Sequence, residues 1–513
     1  MKKIIITACI GLFAVQAMAQ FVSSNAVSNL DVNNINCKIL NQGDAYWEPA
    51  NVALGFEVPK GSNKHAIFNQ GLWLAGVDGG GNLHTACMTY RQTGVDFWPG
   101  PIDNNGNAAP LSMFDAVYCV SQSDIIYHMQ NFNTPGYTVP AEIANWPGSG
   151  QQGFAQVLAP FGDYNNNLIY DPQHGDYPYI LGDKACYTMS NDVYAAHTET
   201  GGNALGVELH TMTYAFSNPA DTLLDNTIFT RYQLVNKSAN TYTDFYFGLY
   251  VDFDLGNYLD DYVGTDVLQN TFYAYNGDAF DDGANGYGAN PPAIGVKFLN
   301  HNLANAVTYS NVNNTPFGNP ATAIDYYNYL RGFWLDGQSI TYGDDGRNPA
   351  NPVAHFMYPG ITDPAFPGIN WTEGSAGNAP EDRRMMGSIG PMAFDQGYVI
   401  SVDVATLFVN GGQPAMRTAA AYVDSIFQNN IALQVPVVLA EPQLNLFPNP
   451  AVNSFKITGN AERINIINAQ GVIVQTVDNY QQQFINIQHL PSGVYAVQCI
   501  NGAKINTIRL CKR

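Results

Sequence analysis

Alternation of apolar and polar residues is the main pattern in the middle of this chain. It predicts strands over residues 208–216, 227–236 and 243–251. Because successive side chains of a strand point to opposite faces, each run places a set of apolar side chains on one face. The period becomes helical at 415–428, which predicts one amphipathic helix, and a short helix is predicted at 323–330. The fold class is therefore mainly β, with a large multi-strand ectodomain of β-sandwich-like units.

A hairpin is predicted earlier in the chain. Two strand-like runs, 66–77 and 83–90, flank Asp78-Gly79-Gly80-Gly81-Asn82. A glycine-rich turn between two such runs is typical of a β-hairpin. The three glycines do not form a phosphate loop, because neither a Lys-Ser/Thr pair nor a helix follows them.

Composition and charge narrow the classes of partner. The chain has 513 residues, enough for two or three domains, and its formal net charge is −21. Such an acidic surface argues against nucleic acid and anionic membranes and favours divalent cations. Only 12% of residues are charged, whereas glycine and aromatic residues are abundant. This composition is typical of an extracellular β protein with many turns.

The first residues have the pattern of a secretory signal peptide. Two lysines precede an apolar core, and a small-x-small site ends at Ala19. We therefore interpret residues 1–19 as a signal peptide that is cleaved between Ala19 and Gln20. The apolar run is too short to span a bilayer comfortably, and no later segment has about twenty consecutive apolar residues. No transmembrane segment is expected in the mature chain.

Six of the seven cysteines remain after this cleavage: Cys37, Cys87, Cys119, Cys186, Cys499 and Cys511. The exterior of the cell permits disulfides, and the lack of a CxxC pair argues against a zinc site. Cys499 and Cys511 are close enough in sequence to be neighbours on paired strands. For the other four, disulfides and buried free thiols both stay open.

An acidic stretch at 249–288 is the strongest candidate for a binding site. It contains eight aspartates and no lysine or arginine. Their repulsion is relieved by solvation, by protonation or by a bound cation. Calcium prefers oxygen ligands, and an alternating strand would present the first two aspartates at its rigid end. The predicted calcium ligands are Asp252, Asp254, Asp260, Asp261 and Asp266, and simple solvation of these acids is the alternative.

A second candidate is the sequence DYNNNLIYD at 163–171. Its oxygen-bearing side chains have the spacing of a calcium loop. They are Asp163, Asn165, Asn167 and Asp171. Position 6 is Leu168 instead of glycine and position 12 is His174 instead of glutamate, so an EF-hand is disfavoured. A looser calcium loop and a solvated polar turn both stay open.

Several strings between residues 30 and 430 resemble a known family. They include EVPKGSNKHAIFNQGLWLAG, TYRQTGVDFWPGPID and VDFDLGNYLDDYVGTD. In these strings the chain resembles a widespread family of secreted Bacteroidota proteins. The resemblance implies secretion and a β-rich ectodomain, which we place at 20–434, and it carries no activity or catalytic residues. A division of this region into two subdomains near residue 200 is left open.

The last seventy residues have a different character. A linker at 435–442 precedes three short motifs, FPNPA, NAQG and LPSGVY. The motif residues are Pro448, Asn449, Pro450, Gly471, Gly493 and Tyr495. Residues 443–513 closely resemble the type A sorting domain of the type IX secretion system. The resemblance implies a small β-sandwich and export across the outer membrane to the cell surface or medium. The implied partners are the translocon and its sorting peptidase, which usually removes this domain.

No catalytic motif stands out: there is no HExxH, GxSxG or Walker A sequence. We therefore favour a non-enzymatic, calcium-stabilised adhesion or binding module with a glycan or matrix ligand. The alternative is a secreted hydrolase acting on polysaccharide or protein, which a cleft with tryptophan and two facing carboxylates would favour. Four aromatic residues are interpreted as core and not as a carbohydrate platform: Trp47, Trp73, Phe97 and Trp98.

Overall fold

Two nine-stranded antiparallel sheets form the ectodomain in the computed structural model. The structure describes residues 24–91, 93–150, 153–431, 446–457, 460–468, 472–481, 483–501 and 504–513. The predicted signal peptide with Ala19 and Gln20, the linker at 435–442 and Gly471 of the sorting motif lie outside these residues. The prediction of a mainly β fold is confirmed.

The first sheet is built around the long central strand Tyr242–Phe253, which pairs with a strand on each side. Its strands, in spatial order, are Val27–Leu30, Asn36–Leu40, Asp44–Ala45, His65–Val77, Tyr242–Phe253, Arg383–Phe394 and Asn305–Ser310. Two further strands, Phe56–Glu57 and Leu83–Cys87, pair with His65–Val77. The sheet thus joins parts of the chain that are far apart in sequence.

The second sheet also combines distant segments. Its strands, in spatial order, are Tyr118–Ser121, Lys184–Asn191, Val207–Ala215, Thr227–Asn236, Val399–Val409, Ala293–Phe298, Thr271–Asn276 and Asp261–Asp266. The short strand Trp98–Pro99 pairs with Lys184–Asn191. Both sheets contain strands from either side of residue 200.

The core lies between the two sheets. Phe247 of the first sheet packs edge-on against Tyr232 of the second, with ring centroids 5.4 Å apart. Phe253 likewise contacts Phe272 of the second sheet, at 6.2 Å. Odd-numbered residues of the central strand therefore face the second sheet, and even-numbered residues face outward.

Helices cover the outer faces of both sheets. Gly412–Ile426 buries Met416, Ala419, Ala420 and Val423 in the same cluster as Leu407 and Tyr273 of the second sheet. The predicted helix at 415–428 is confirmed and begins three residues earlier. Burying a side chain such as Val423 contributes roughly 1.5–3 kcal/mol. Because both faces of the second sheet are covered, every residue of Thr227–Asn236 is buried, including its polar residues.

The short helix Ala323–Leu330 covers the outer face of the first sheet, at the predicted position. It begins with a capping box between Thr322 and Asp325, which satisfies backbone amides of its first turn. Its Tyr326 contacts the Trp73 ring edge-on at 4.7 Å. Trp73 also stacks on Tyr250, at 5.4 Å. Trp47, Trp73, Phe97 and Trp98 are all at most 2% exposed, so their interpretation as core residues is confirmed.

The predicted hairpin is present as His65–Val77 and Leu83–Cys87. The Asp78 carboxylate accepts hydrogen bonds from the amides of Gly80 and Asn82, at 2.8 and 2.9 Å, and so closes the turn. The other predicted strands are observed to within a few residues. The remaining α-helices are Leu111–Phe114, Gln122–Asn131, Ala141–Ala144 and Glu373–Ala376. Short 3-10 helices are Pro172–His174, Leu224–Asn226 and Val267–Gln269, and a π-helical turn is Phe427–Ile431.

Three two-stranded ribbons decorate the ectodomain: Trp47–Glu48 with Ala53–Leu54, Phe161–Gly162 with Tyr177–Pro178, and Phe280–Asp281 with Gly288–Ala289. The C-terminal residues form a small β domain with its own hydrophobic cluster. Its strands are Leu446–Phe447, Ser454–Ile457, Asn460–Ile467, Ile473–Gln481, Ile485–Asn486, Gly493–Asn501 and Lys504–Lys512.

One disulfide joins neighbouring strands of the second sheet. Cys119 lies directly opposite Cys186 in the pairing of Tyr118–Ser121 with Lys184–Asn191, and the two are bonded. The other cysteines among the described residues are free thiols: Cys37, Cys87, Cys499 and Cys511. Cys499 and Cys511 do lie on paired strands, but the register places Val494 opposite Cys511, so they are not direct neighbours.

Candidate cation site

The end of the central strand brings three carboxylates together. Asp252 is the next-to-last residue of the strand Tyr242–Phe253, and Asp254 directly follows that strand. Residues two apart share a face of a strand, here the outer one. The antiparallel register sets Phe253 opposite Arg383, so Asp382 arrives beside them from the neighbouring strand. One oxygen each of Asp252, Asp254 and Asp382 lie within 4.8 Å of one another.

These carboxylates are only partly satisfied by the protein. Asp252 Oδ2 forms an ion pair with Arg384 Nη2 at 3.1 Å and accepts from the Tyr250 hydroxyl at 3.3 Å. Asp382 Oδ2 accepts from Asn311 Nδ2 at 3.1 Å. Asp252 Oδ1 and Asp382 Oδ1 are buried and have no hydrogen-bond partner among the described residues. An unpartnered buried oxygen is costly unless a proton or a cation meets it.

The pKa values follow from this arrangement. Burial raises the pKa of Asp252 to about 6; repulsion from Asp382 adds to the effect, and Arg384 opposes it. Burial also raises the pKa of Asp254, and both neighbouring aspartates add to that shift. With all three ionised beside one guanidinium, the cluster has a formal charge of −2. That charge and an all-oxygen donor set suit a hard divalent cation.

Arg384 is a counter-charge for this acidic stretch, although it lies far from the stretch in sequence. Lysine and arginine are absent from 249–288, but strand pairing brings Arg384 to Asp252 from more than a hundred residues away. Its guanidinium is held by Asn311 Oδ1 and Asn319 Oδ1, both at 2.8 Å. Neither Asp382 nor Arg384 was predicted from the sequence. Both residues lie at the start of a long strand. The sequence pattern of that strand does not reveal which other strand it pairs with.

The other predicted ligands in this stretch have protein partners. Asp260 accepts from Asn257 Nδ2 at 2.9 Å and from Asn276 Nδ2 at 2.8 Å. Asp261 is fully buried and accepts through Oδ2 from the Leu255 amide at 3.0 Å. Its Oδ1 has no hydrogen-bond partner among the described residues, and burial raises its pKa well above the usual range. The structure therefore brings Asp252 and Asp254 together but places Asp260 and Asp261 outside that cluster.

Asp266 lies at the far end of its strand and has a structural role. Its Oδ1 accepts from the Gln269 amide at 3.1 Å and so caps the turn Val267–Gln269. Its Oδ2 lies 3.4 Å from Arg417 Nε. These contacts occupy both carboxylate oxygens.

The loop at 163–171 is closed by its own side chains. The Asp163 carboxylate accepts from the amides of Asn167 and Leu168, at 3.1 and 2.8 Å. Asn165 and Asn167 direct their amide nitrogens at Asp171, at 3.2 and 3.1 Å. Leu168 has φ of 61°, the left-handed conformation that glycine would adopt at this position. A cation here requires both side-chain amides to rotate, and calcium in this loop stays a prediction.

The C-terminal motif residues have well-defined contacts. Asn449 donates to the Arg509 carbonyl at 2.8 Å and accepts from the Cys511 amide at 2.9 Å, which ties the FPNPA segment to the last strand. Tyr495 is buried and donates to the Pro491 carbonyl at 2.7 Å. Pro448 and Pro450 flank Asn449, and Gly493 begins the penultimate strand.

Residues 445–513 match the family model described as the secretion system C-terminal sorting domain. The protein is therefore a cargo of the type IX secretion system, exported to the cell surface or the medium. Its sorting domain implies interaction with that machinery. No helix in the described part of the chain is long and apolar enough to cross a membrane.

The comparisons with curated proteins and with solved structures add little about the rest of the chain. No curated protein matches the chain. Among solved structures, a polysaccharide lyase aligns at 8% identity and a TM-score of 0.19, over 60% of this chain and 34% of the lyase. The chain thus spans about a third of that lyase. A likeness of this degree carries no argument about function.

Proposed function

We propose that this protein is an exported, non-enzymatic adhesion or binding module whose ectodomain is stabilised by calcium bound to Asp252, Asp254 and Asp382. The observation that carries the proposal is the convergence of three carboxylates with two buried, unpartnered oxygens, Asp252 Oδ1 and Asp382 Oδ1. The cluster lies where two long strands of the first sheet meet, so an ion there would bridge them. Because an ion held in this way binds the folded chain and not the unfolded one, it would raise the free energy of unfolding.

The position of the cluster favours a structural role for the ion. The cavity that contains Trp334, about 250 Å³ in volume, is lined by none of Asp252, Asp254 and Asp260. The hydrolase alternative would be favoured by a cleft that joins a tryptophan to these carboxylates. The same cavity does join Trp334 to other carboxylates, among them Glu373 and Glu381, so a secreted hydrolase acting on polysaccharide or protein stays the alternative function.

Thermal melting in calcium and in EDTA tests the proposal. A ligand at a hundredfold excess over its Kd adds about 2.7 kcal/mol of stability. The described ectodomain ends at residue 431, so about 400 residues unfold, with an unfolding entropy of roughly 0.8 kcal/mol/K. The melting temperature should therefore rise by about 3 °C in calcium.

Paired variants locate the ion. Asp254→Asn with Asp382→Asn should abolish the calcium-dependent rise, because two of the three charged ligands become neutral. Asp260→Asn is the matched control and should keep it, since Asp260 lies outside the cluster. A rise that survives the first pair but disappears in Asp163→Asn with Asp171→Asn would move the site to that loop. No rise in the wild type would refute calcium binding.

A further inference from the structure

The cavity beside Trp334 has the lining of a ligand site. Its volume is about 250 Å³, and it lies between the edge strand Asn305–Ser310 and two loops, 334–358 and 373–383. Pockets for drug-sized molecules measure roughly 300–1,000 Å³, so this cavity suits a ligand of about one ring.

Two arginines in this cavity have donors that the protein leaves unused. Arg347 pairs with Asp336 through Nη2 at 3.0 Å, and Arg383 pairs with Glu373 through Nη2 at 2.6 Å. Arg347 Nη1 and Arg383 Nε are buried, and neither has a hydrogen-bond partner in the part of the chain that the structure describes. Arg383 is itself only 7% exposed. A bound molecule with oxygen atoms would satisfy these N–H groups.

Carboxylates of the same cavity supply acceptors. Asp345 and Glu381 are exposed and line it together with the buried Glu373. Glu381 Oε1 already pairs with Arg383 Nη1, and Asp345 Oδ1 accepts from the Arg347 amide at 3.1 Å, so the second oxygen of each carboxylate is the one offered to a ligand. Three acids and two arginines give the lining a formal charge of −1, so an anionic ligand is disfavoured. A lining that holds both donors and acceptors suits a neutral molecule with several hydroxyl groups, each of which both donates and accepts.

Aromatic side chains supply apolar contact area. Phe317, Trp334 and Tyr358 line the cavity. Trp334 is 2% exposed, its indole nitrogen donates to the Gly346 carbonyl at 2.9 Å, and the Arg347 guanidinium lies over its ring, 5.3 Å from the centroid. The exposed Phe317 therefore offers most of the apolar contact area. Rings with one apolar face and a hydroxylated rim are characteristic of sugars, and aromatic residues are common in pockets that combine both kinds of contact.

We infer that this cavity binds one neutral sugar ring of a glycan, with hydroxyl groups on Asp345, Glu381 and the free N–H groups of Arg347 and Arg383. The inference names the ligand class of the proposed binding function and rests on it. It does not depend on the calcium site, since the cavity and the carboxylate cluster have no residue in common.

Saturation-transfer NMR and calorimetry with glucose, galactose, mannose, N-acetylglucosamine and glucuronate test the inference on the full ectodomain. At least one neutral sugar should bind with a Kd of about 1 mM, and glucuronate should bind more weakly. Asp345→Asn with Glu381→Gln, two exposed side chains, should weaken that binding tenfold or more. Asp282→Asn, an exposed acid outside the cavity, is the control and should leave it unchanged.

Three results would overturn the inference: no neutral sugar binds, glucuronate binds more tightly, or the cavity variants bind as the wild type does. Melting in calcium and EDTA is recorded on the same samples. A calcium-dependent rise without sugar binding would refute the sugar site alone. Sugar binding without that rise would refute the calcium site alone.

Discussion

Replacing Arg384 with glutamine should make the ectodomain more dependent on calcium. Arg384 is buried and forms the ion pair with Asp252 at 3.1 Å. Without it, Asp252, Asp254 and Asp382 lose a positive charge that partly neutralises them. A bound calcium ion would then be the main remaining counter-charge of the cluster.

The magnitude follows from the burial of the pair. Removing one partner of a buried ion pair typically costs 3–5 kcal/mol, because it leaves an uncompensated charge. With an unfolding entropy of roughly 0.8 kcal/mol/K for the ectodomain, the melting temperature in EDTA should fall by about 4–6 °C. Loss of the repulsion between Arg384 and the ion should raise calcium affinity about tenfold, or 1.4 kcal/mol. The calcium-dependent rise should therefore be about 2 °C larger than in the wild type.

The assay is thermal unfolding followed by tryptophan fluorescence, in EDTA and in saturating calcium. Arg231→Gln is the matched control, because Arg231 pairs with Asp403 at 2.7 Å and both are buried, away from the cluster. This control should lower the melting temperature in EDTA by a similar amount and keep the wild-type calcium rise. A calcium rise in Arg384→Gln that is equal to or smaller than the wild-type rise would refute the reasoning.

Three further predictions concern export and the disulfide. Deleting residues 445–513 should strand the protein in the periplasm, which cell fractionation would detect; normal surface display would contradict the sorting role. The exported protein should begin at Gln20 and end near Glu441, as intact-mass measurement would show; a full chain ending at Arg513 would contradict removal of the sorting domain. Cys119→Ala with Cys186→Ala opens a loop spanning 67 positions and should cost about 4 kcal/mol in urea unfolding, and an unchanged midpoint would contradict the stabilising role.

Local patterns of the sequence were enough to predict most individual elements. The helices Ala323–Leu330 and Gly412–Ile426 and the strands around Tyr242–Phe253 follow from periodicity. The alternating run at residues 25–39 would be interpreted as one strand, but it is a hairpin of Val27–Leu30 and Asn36–Leu40. Its polar centre, Asp31-Val32-Asn33-Asn34, forms the turn, which an alternating pattern alone did not distinguish from a continuous strand.

The candidate site was only half predictable, for a physical reason. Asp252 and Asp254 were identified by charge density within one stretch, which is a local property. Asp382 and Arg384 join them through the pairing of two strands, and single-sequence periodicity does not encode which strands pair. Asp266 was included for its charge alone, although its role as a cap depends on the turn that follows it.

A crystal structure of the ectodomain grown in calcium, with anomalous data, would show directly whether Asp252, Asp254 and Asp382 bind an ion. Calcium bound at this cluster should give one strong anomalous peak with oxygens of Asp252, Asp254 and Asp382 at about 2.3–2.6 Å, the range of calcium–oxygen bonds in proteins. The peak should be absent from crystals of the Asp254→Asn, Asp382→Asn variant. A wild-type structure with no peak at these three aspartates, or with a peak only in the loop at 163–171, would contradict the claim.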